Sequence, residues 1–176
     1  MILASGSPRR HELLTSLGVE FKVIVSNIEE ILNEELPIHE QVMDLAKQKA
    51  EALGIEDELI LAADTIVVID DEILGKPKDE DDAFRMLKRL SGNEHFVYTG
   101  CCFKNGSKYD LFYEETKIRF KSLSDEVIKS YIATKEPMDK AGAYGIQGLG
   151  GKLIDSYVGD YYNVMGLPIH KVKEHL

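Results

Sequence analysis

Apolar positions along the chain fall at two spacings, and their order predicts an α/β fold. Ile2-Leu3-Ala4-Ser5 reads as a short buried strand. Ser7-Pro8 then reads as a helix start, with serine as the N-cap and proline at the first helical position. Leu13, Leu14 and Leu17 form the apolar stripe of that helix, and Gly18 ends it. Phe21 to Ser26 reads as a second strand, and the acidic stretch Glu29 to Glu40, broken at Pro37, as loop. Between His39 and Leu53, Val42, Leu45, Ala46, Ala50 and Leu53 recur at helical spacing. Lys49 falls inside that stripe, either snorkelling at its edge or serving a site.

Leu59 to Asp70 is almost continuously apolar and rich in β-branched residues, as a central strand would be. Asp70-Asp71 turns it into a short strand that ends at Gly75-Lys76-Pro77. Asp79 to Leu90 has an amphipathic helical pattern stopped by Gly92. Phe96 to Phe103 and Tyr109 to Phe120 read as strands joined through Asn105-Gly106, a strong hairpin signal. A helix over Ser124 to Ala133, a glycine-rich loop over 142–151, a strand over Leu153 to Val158 and a helix after Pro168 follow. Crossovers and a hairpin in one chain predict a mixed sheet in a single α/β domain spanning residues 1–176.

Composition narrows the function classes. The net charge of −10 argues against nonspecific binding of nucleic acid or an anionic membrane. No apolar run approaches the roughly 20 residues of a membrane span, and the start has no secretory-signal pattern. Cys101 and Cys102 are adjacent, and neighbours on a strand point to opposite faces, so a disulfide is not expected. A reducing cytoplasm is the expected compartment. The sequence contains no Walker loop, dinucleotide-binding glycine pattern, zinc motif or serine-hydrolase elbow.

Four segments carry candidate chemistry. In Ser5-Gly6-Ser7-Pro8-Arg9-Arg10, free N–H groups and two hydroxyls at a helix start favour an anion. Arg9 and Arg10 oppose the helix dipole there unless something anionic binds, the alternative being a solvated pair. Asp64 interrupts a run that should be buried, and a lone buried carboxylate costs several kcal/mol. It is salt-bridged to Lys49 or Lys76 for structure alone, or it holds a divalent metal or activates water. Gly75-Lys76-Pro77 fixes a lysine in a rigid turn. The segment from Glu136 to Gly148 is either a surface loop or a backbone wall around a base, with Gln147 as its hydrogen-bond reader. These residues alone reach metal-assisted phosphate chemistry and no further.

Taken with Ala63-Asp64-Thr65, Leu90-Ser91-Gly92, Asp139 to Gly148 and Gly166-Leu167-Pro168, these segments resemble the Maf family of nucleoside triphosphate pyrophosphatases. The resemblance keeps the family's order from residue 2 to residue 168. It implies an elongated mixed-sheet domain with a central cleft, similar to inosine triphosphate pyrophosphatases. It also implies hydrolysis of a nucleoside triphosphate to monophosphate and pyrophosphate with Mg²⁺ or Mn²⁺, limiting non-standard or excess nucleotides. By position, Asp64 matches the proposed general base, and the resemblance leaves open whether it ligates the metal instead. Arg10 matches a phosphate-binding arginine, and Ser5, Ser7, Glu30, Lys49 and Lys76 match other polar site positions. Arg9, Thr65 and Gln147 resemble the subgroup that hydrolyses dTTP and UTP. The sister subgroup, which prefers 7-methyl-GTP, has Trp, Gln and Glu there. Two other readings stand beside this one: a pyrophosphatase for 7-methyl-GTP or modified purines, and a non-catalytic nucleotide-binding regulator of cell division. The expected partner is the nucleotide, with no nucleic acid or membrane, and a homodimer is compatible with the reading.

Overall fold

The computed structural model describes all 176 residues. The first half of the chain runs β1 (Ile2–Leu3), α1 (Pro8–Ser16), β2 (Lys22–Val23), α2 (Ile38–Glu51), β3 (Ile60–Ile69), β4 (Glu72–Leu74) and α3 (Glu80–Leu90). The second runs β5 (Glu94–Asn105), β6 (Lys108–Phe120), α4 (Asp125–Ala133), three short 3₁₀ turns, β7 (Ile154–Val158), α5 (Tyr161–Met165) and α6 (Ile169–His175). The strands form an open mixed sheet in the order β2-β1-β3-β5-β6-β7, with β4 paired to β3. β1 is parallel to both β2 and β3, whereas β4 on β3 and β7 on β6 are antiparallel. The α/β mixed-sheet expectation therefore holds.

Local chemistry explains the boundaries. Ser7, Asp79 and Ser124 each cap a helix by accepting a backbone N–H from the residue three positions on. Asp70 and Asp71, both at positive φ, form the two-residue turn between β3 and β4, a conformation that short polar side chains tolerate. The second strand is shorter than its apolar pattern predicts, only Lys22–Val23. One further bond, from Ile24 N–H to the Leu3 carbonyl, follows it. β1 is itself two residues long, so little edge remains for β2 to pair with. The helix α5 was not expected from the sequence.

The chain forms two compact units, Met1–Thr65 with Tyr98–Glu114 and Gly166–Leu176, and Ile66–Val97 with Glu115–Met165. In the first, Ile2 and Ala4, Ile60 and Ala62 of β3, Ala46 and Ala50 of α2, and Cys102 make one core cluster. Gly100 of β5 lets α2 approach: a Cβ there would stand 2.5 Å from the Val42 carbonyl carbon and oxygen. In the second unit, α3 and α4 bury Leu87, Leu90, Ile128 and Ile132 with Val67, Ile118 and Phe120 of the sheet.

That second core also encloses His95, whose Nε2 lies 2.6 Å from the Tyr144 hydroxyl and whose Nδ1 has no partner. Burial holds its pKa down, to about 4 from 6.5. The unfolded chain takes up this proton below pH 6.5, while the folded chain resists it down to about pH 4. The stability this residue contributes is thus complete above pH 6.5 and lost as pH falls toward 4. The expected loss across that window is about 3 kcal/mol. Urea unfolding at pH 7 and pH 4 should show it, and His95→Gln should flatten that part of the slope. An identical slope in the variant would contradict this.

Candidate functional site

The start of α1 builds a donor-rich corner from local constraints. Ser7 Oγ accepts the Arg10 backbone N–H at 3.4 Å, and Ser5 Oγ accepts the Ser7 N–H at 3.2 Å. Both hydroxyls act as acceptors toward the protein, so their own O–H groups remain able to donate. The Arg10 side chain turns back across this corner. Its Nε donates to the Gly166 carbonyl at 2.7 Å, Nη1 to Ser5 Oγ at 3.3 Å and Nη2 to Thr65 Oγ1 at 3.0 Å. All three acceptors are neutral, so the guanidinium keeps its charge undiminished by any direct carboxylate bond. Burial lowers its pKa, and Asp64 is the first charge opposing that shift. Arginine's high reference value still leaves it the natural cation for this position.

β3 supplies the carboxylate. Consecutive strand residues point to opposite faces, and Asp64 and Thr65 do so with different partners. Asp64 is only 8% exposed and shares its side with Ile60 and Ala62, which pack on α2. Lys49 of α2 meets it there, donating from Nζ to Asp64 Oδ1. The same ammonium lies 3.1 Å from Glu30 Oε1. Of the two lysines proposed for Asp64, Lys49 is the one it pairs with. Thr65 faces the other way, toward Arg10 and toward Thr99 of β5, whose Oγ1 is 2.9 Å from its own.

Ser5, Ser7, Arg10, Glu30, Lys49, Asp64 and Thr65 thus belong to the first unit and are linked by hydrogen bonds and charge. Arg9, in the same turn, is half-buried and close enough for its charge to depress the Arg10 pKa. Lys76 and Gln147 are exposed and belong to the second unit. The Gly75 carbonyl beside Lys76 accepts the Gly142 N–H at 3.1 Å, which ties that turn to the glycine-rich loop. Gln147 leads into the 3₁₀ turn Gly148–Leu153.

The roles of three groups here were not anticipated. Thr99 is fully buried, and nothing in a strand sequence sets such a threonine apart. The Gly166 carbonyl orients Arg10, a role for backbone that residue types cannot announce. Glu136 accepts the Leu149 N–H at 3.2 Å, the Gly150 N–H at 3.0 Å and the Tyr131 hydroxyl at 2.8 Å, and so anchors the loop after Gln147. The neighbouring thiols take no part: burial raises Cys101 and Cys102 to about 12, so both stay protonated.

Chemically, the first unit offers a fixed guanidinium, hydroxyl donors, and a buried carboxylate held by a lysine. That set suits a multiply charged anion and a proton acceptor beside it. No group of three or more His, Cys, Asp or Glu side chains is placed to hold a metal unaided. Asp64 and Glu30, joined through one ammonium, are the carboxylates at hand.

Comparison with known proteins agrees with this chemistry. The model of the Maf-like protein family matches residues 1–176. The chain is 51% identical over 177 residues to the dTTP/UTP pyrophosphatase of Thermoanaerobacter sp. (strain X514), covering 98% of this chain and 92% of that protein. It is 47% identical over 180 residues to the protein of the same name from Caldicellulosiruptor bescii, covering 98% and 90%. To that of Bacillus cytotoxicus it is 50% identical over 177 residues, covering 99% and 93%. The chain belongs to the Maf family.

The shared ammonium makes a stability prediction. Lys49→Met strips Asp64 of its cation while the carboxylate stays buried, which should cost about 3 kcal/mol. Adding Asp64→Leu removes the stranded charge and should recover most of that loss. Urea unfolding of the wild type and the two variants checks it. A double variant no more stable than Lys49→Met alone would contradict the assigned pairing.

Proposed function

We propose that this chain hydrolyses dTTP and UTP to the nucleoside monophosphate and pyrophosphate, in the cytoplasm. The observation that carries the reading is that adjacent residues of β3 serve two charges: Thr65 accepts from Arg10, while Asp64, near enough for its charge to act on Arg10, is held by Lys49. A fixed cation and a buried carboxylate are thus held from neighbouring strand positions in a chain about half identical to proteins named for this reaction. No helix is long and apolar enough to cross a membrane.

In this reading Arg10 and the Ser5 and Ser7 hydroxyls hold the triphosphate, and the Lys76 ammonium is a further cation of the kind that phosphate takes. Arg9 and Thr65 contact the nucleoside, and the Gln147 amide can give one hydrogen bond and accept another, as a uracil-type edge requires. A divalent cation, Mg²⁺ or Mn²⁺, fits the donor set if it arrives with the substrate. Mg²⁺ takes one or two carboxylates and completes its shell with phosphate and water. Asp64 would hold it, and when bound it supplies charge neutralisation at the phosphates. Asp64 Oδ1 is engaged by Lys49, which leaves Oδ2 to face the ligand. Where it does not ligate the cation, that oxygen orients the attacking water and takes its proton, while Lys49 holds Oδ1 in place.

Asp64→Asn tests this assignment because it keeps the shape and removes the charge. Turnover of dTTP should fall by ~10²–10⁴, as for loss of a general base. Nucleotide affinity should change far less, because Arg10 and the serines grip elsewhere. Steady-state kinetics and calorimetric binding on the same preparation give both quantities. A variant that retains most of its kcat would remove Asp64 from the chemistry.

A further inference from the structure

Between β2 and α2 the chain runs without strand or helix, and Glu30 sits in that stretch. Apolar burial does not hold it in place: the next side chain, Ile31, is 70% exposed. The hold comes from Gln48 on α2. Its Oε1 accepts the Ile31 N–H at 3.1 Å, and its Nε2 donates to the Ile31 carbonyl at 2.8 Å. One side-chain amide thus satisfies both polar groups of one residue, as a neighbouring strand would. The same Nε2 donates to Asp44 Oδ2 at 2.8 Å, one helical turn earlier. A carboxylate there accepts only, so it demands the NH₂ end and fixes which way the amide faces. Lys49, the next residue of the helix, takes Glu30.

We infer that Gln48 is a positioning residue: by clamping the Ile31 peptide it sets Glu30 on Lys49 and so fixes how that ammonium is shared with Asp64. The inference rests on the proposed role of Asp64 and extends it to a residue that touches neither substrate nor reacting atoms. The logic is a matter of valence. Lys49 has one charge between two carboxylates, and a released Glu30 leaves that charge wholly to Asp64. The exposed Glu30 side chain cannot keep the loop in place alone, because an exposed ion pair contributes little. The amide clamp, which uses every polar group it touches, supplies the order instead.

The test compares wild type, Gln48→Met, Glu30→Gln and the double variant. Methionine keeps the length and helix preference of glutamine and loses its hydrogen bonds. In Gln48→Met, hydrogen exchange at the Ile31 amide should accelerate by at least about tenfold, while α2 amides stay protected. With dTTP, Gln48→Met should lower kcat/KM in the same direction and to about the same extent as Glu30→Gln. The double variant should be no worse than Glu30→Gln alone, since both act through one contact. A merely structural role predicts losses that multiply and a lower Tm with unchanged kcat per folded molecule, and that result overturns the inference. Unchanged exchange at Ile31 overturns it as well, as does full activity with the loop released. A wild type that does not turn over dTTP is a failure of the proposed function, not of the clamp. Exchange at Ile31 then decides, faster in Gln48→Met supporting the clamp and unchanged refuting it.

Discussion

A carboxylate set into the middle of a buried strand has to be given a cation, and Asp64 on β3 imposes that requirement on its surroundings. The nearest helix must present a lysine at the right turn. It must also come close enough for the ammonium to reach, which Gly100 permits by letting β5 lie against the backbone of α2. Small residues at Ala46, Ala50, Ala62 and Cys102 serve the same approach from the core. The packing of the first unit and the pairing of Asp64 with Lys49 are therefore one problem with one solution.

Strand alternation then separates two duties. Asp64 faces α2 and its lysine, while Thr65, one residue on, faces Arg10 and Thr99. Arg10 is left with neutral oxygen partners, so its charge is aimed but not cancelled. Had a carboxylate taken that place, the corner would be a structural ion pair with little to offer an anion. A held cation beside a lysine-bound carboxylate is what distinguishes this corner from an ordinary helix start.

Much of this was legible in the residues because some of them are costly where they stand. An aspartate in an apolar run and two arginines opposing a helix dipole each announce an unmet requirement, and Ser7-Pro8 announces the helix that brings them together. The choice between Lys49 and Lys76 was not legible, since periodicity within one element says nothing about which face of another it meets. Thr99, Glu136 and the Gly166 carbonyl were hidden for a different reason. A threonine in a strand, a glutamate near a loop and a backbone oxygen are ordinary in any sequence, and only their partners make them matter. The shortened β2 shows the same limit: an apolar pattern measures a strand's willingness to pair, whereas its length is set by the edge available.

The account stands or falls on the reaction assigned to this arrangement. The most direct measurement is ³¹P NMR of the products when the purified protein meets dTTP with Mg²⁺. The account predicts dTMP and pyrophosphate in equal amounts. Formation of dTDP and orthophosphate, or binding of dTTP with no product under either Mg²⁺ or Mn²⁺, would contradict it.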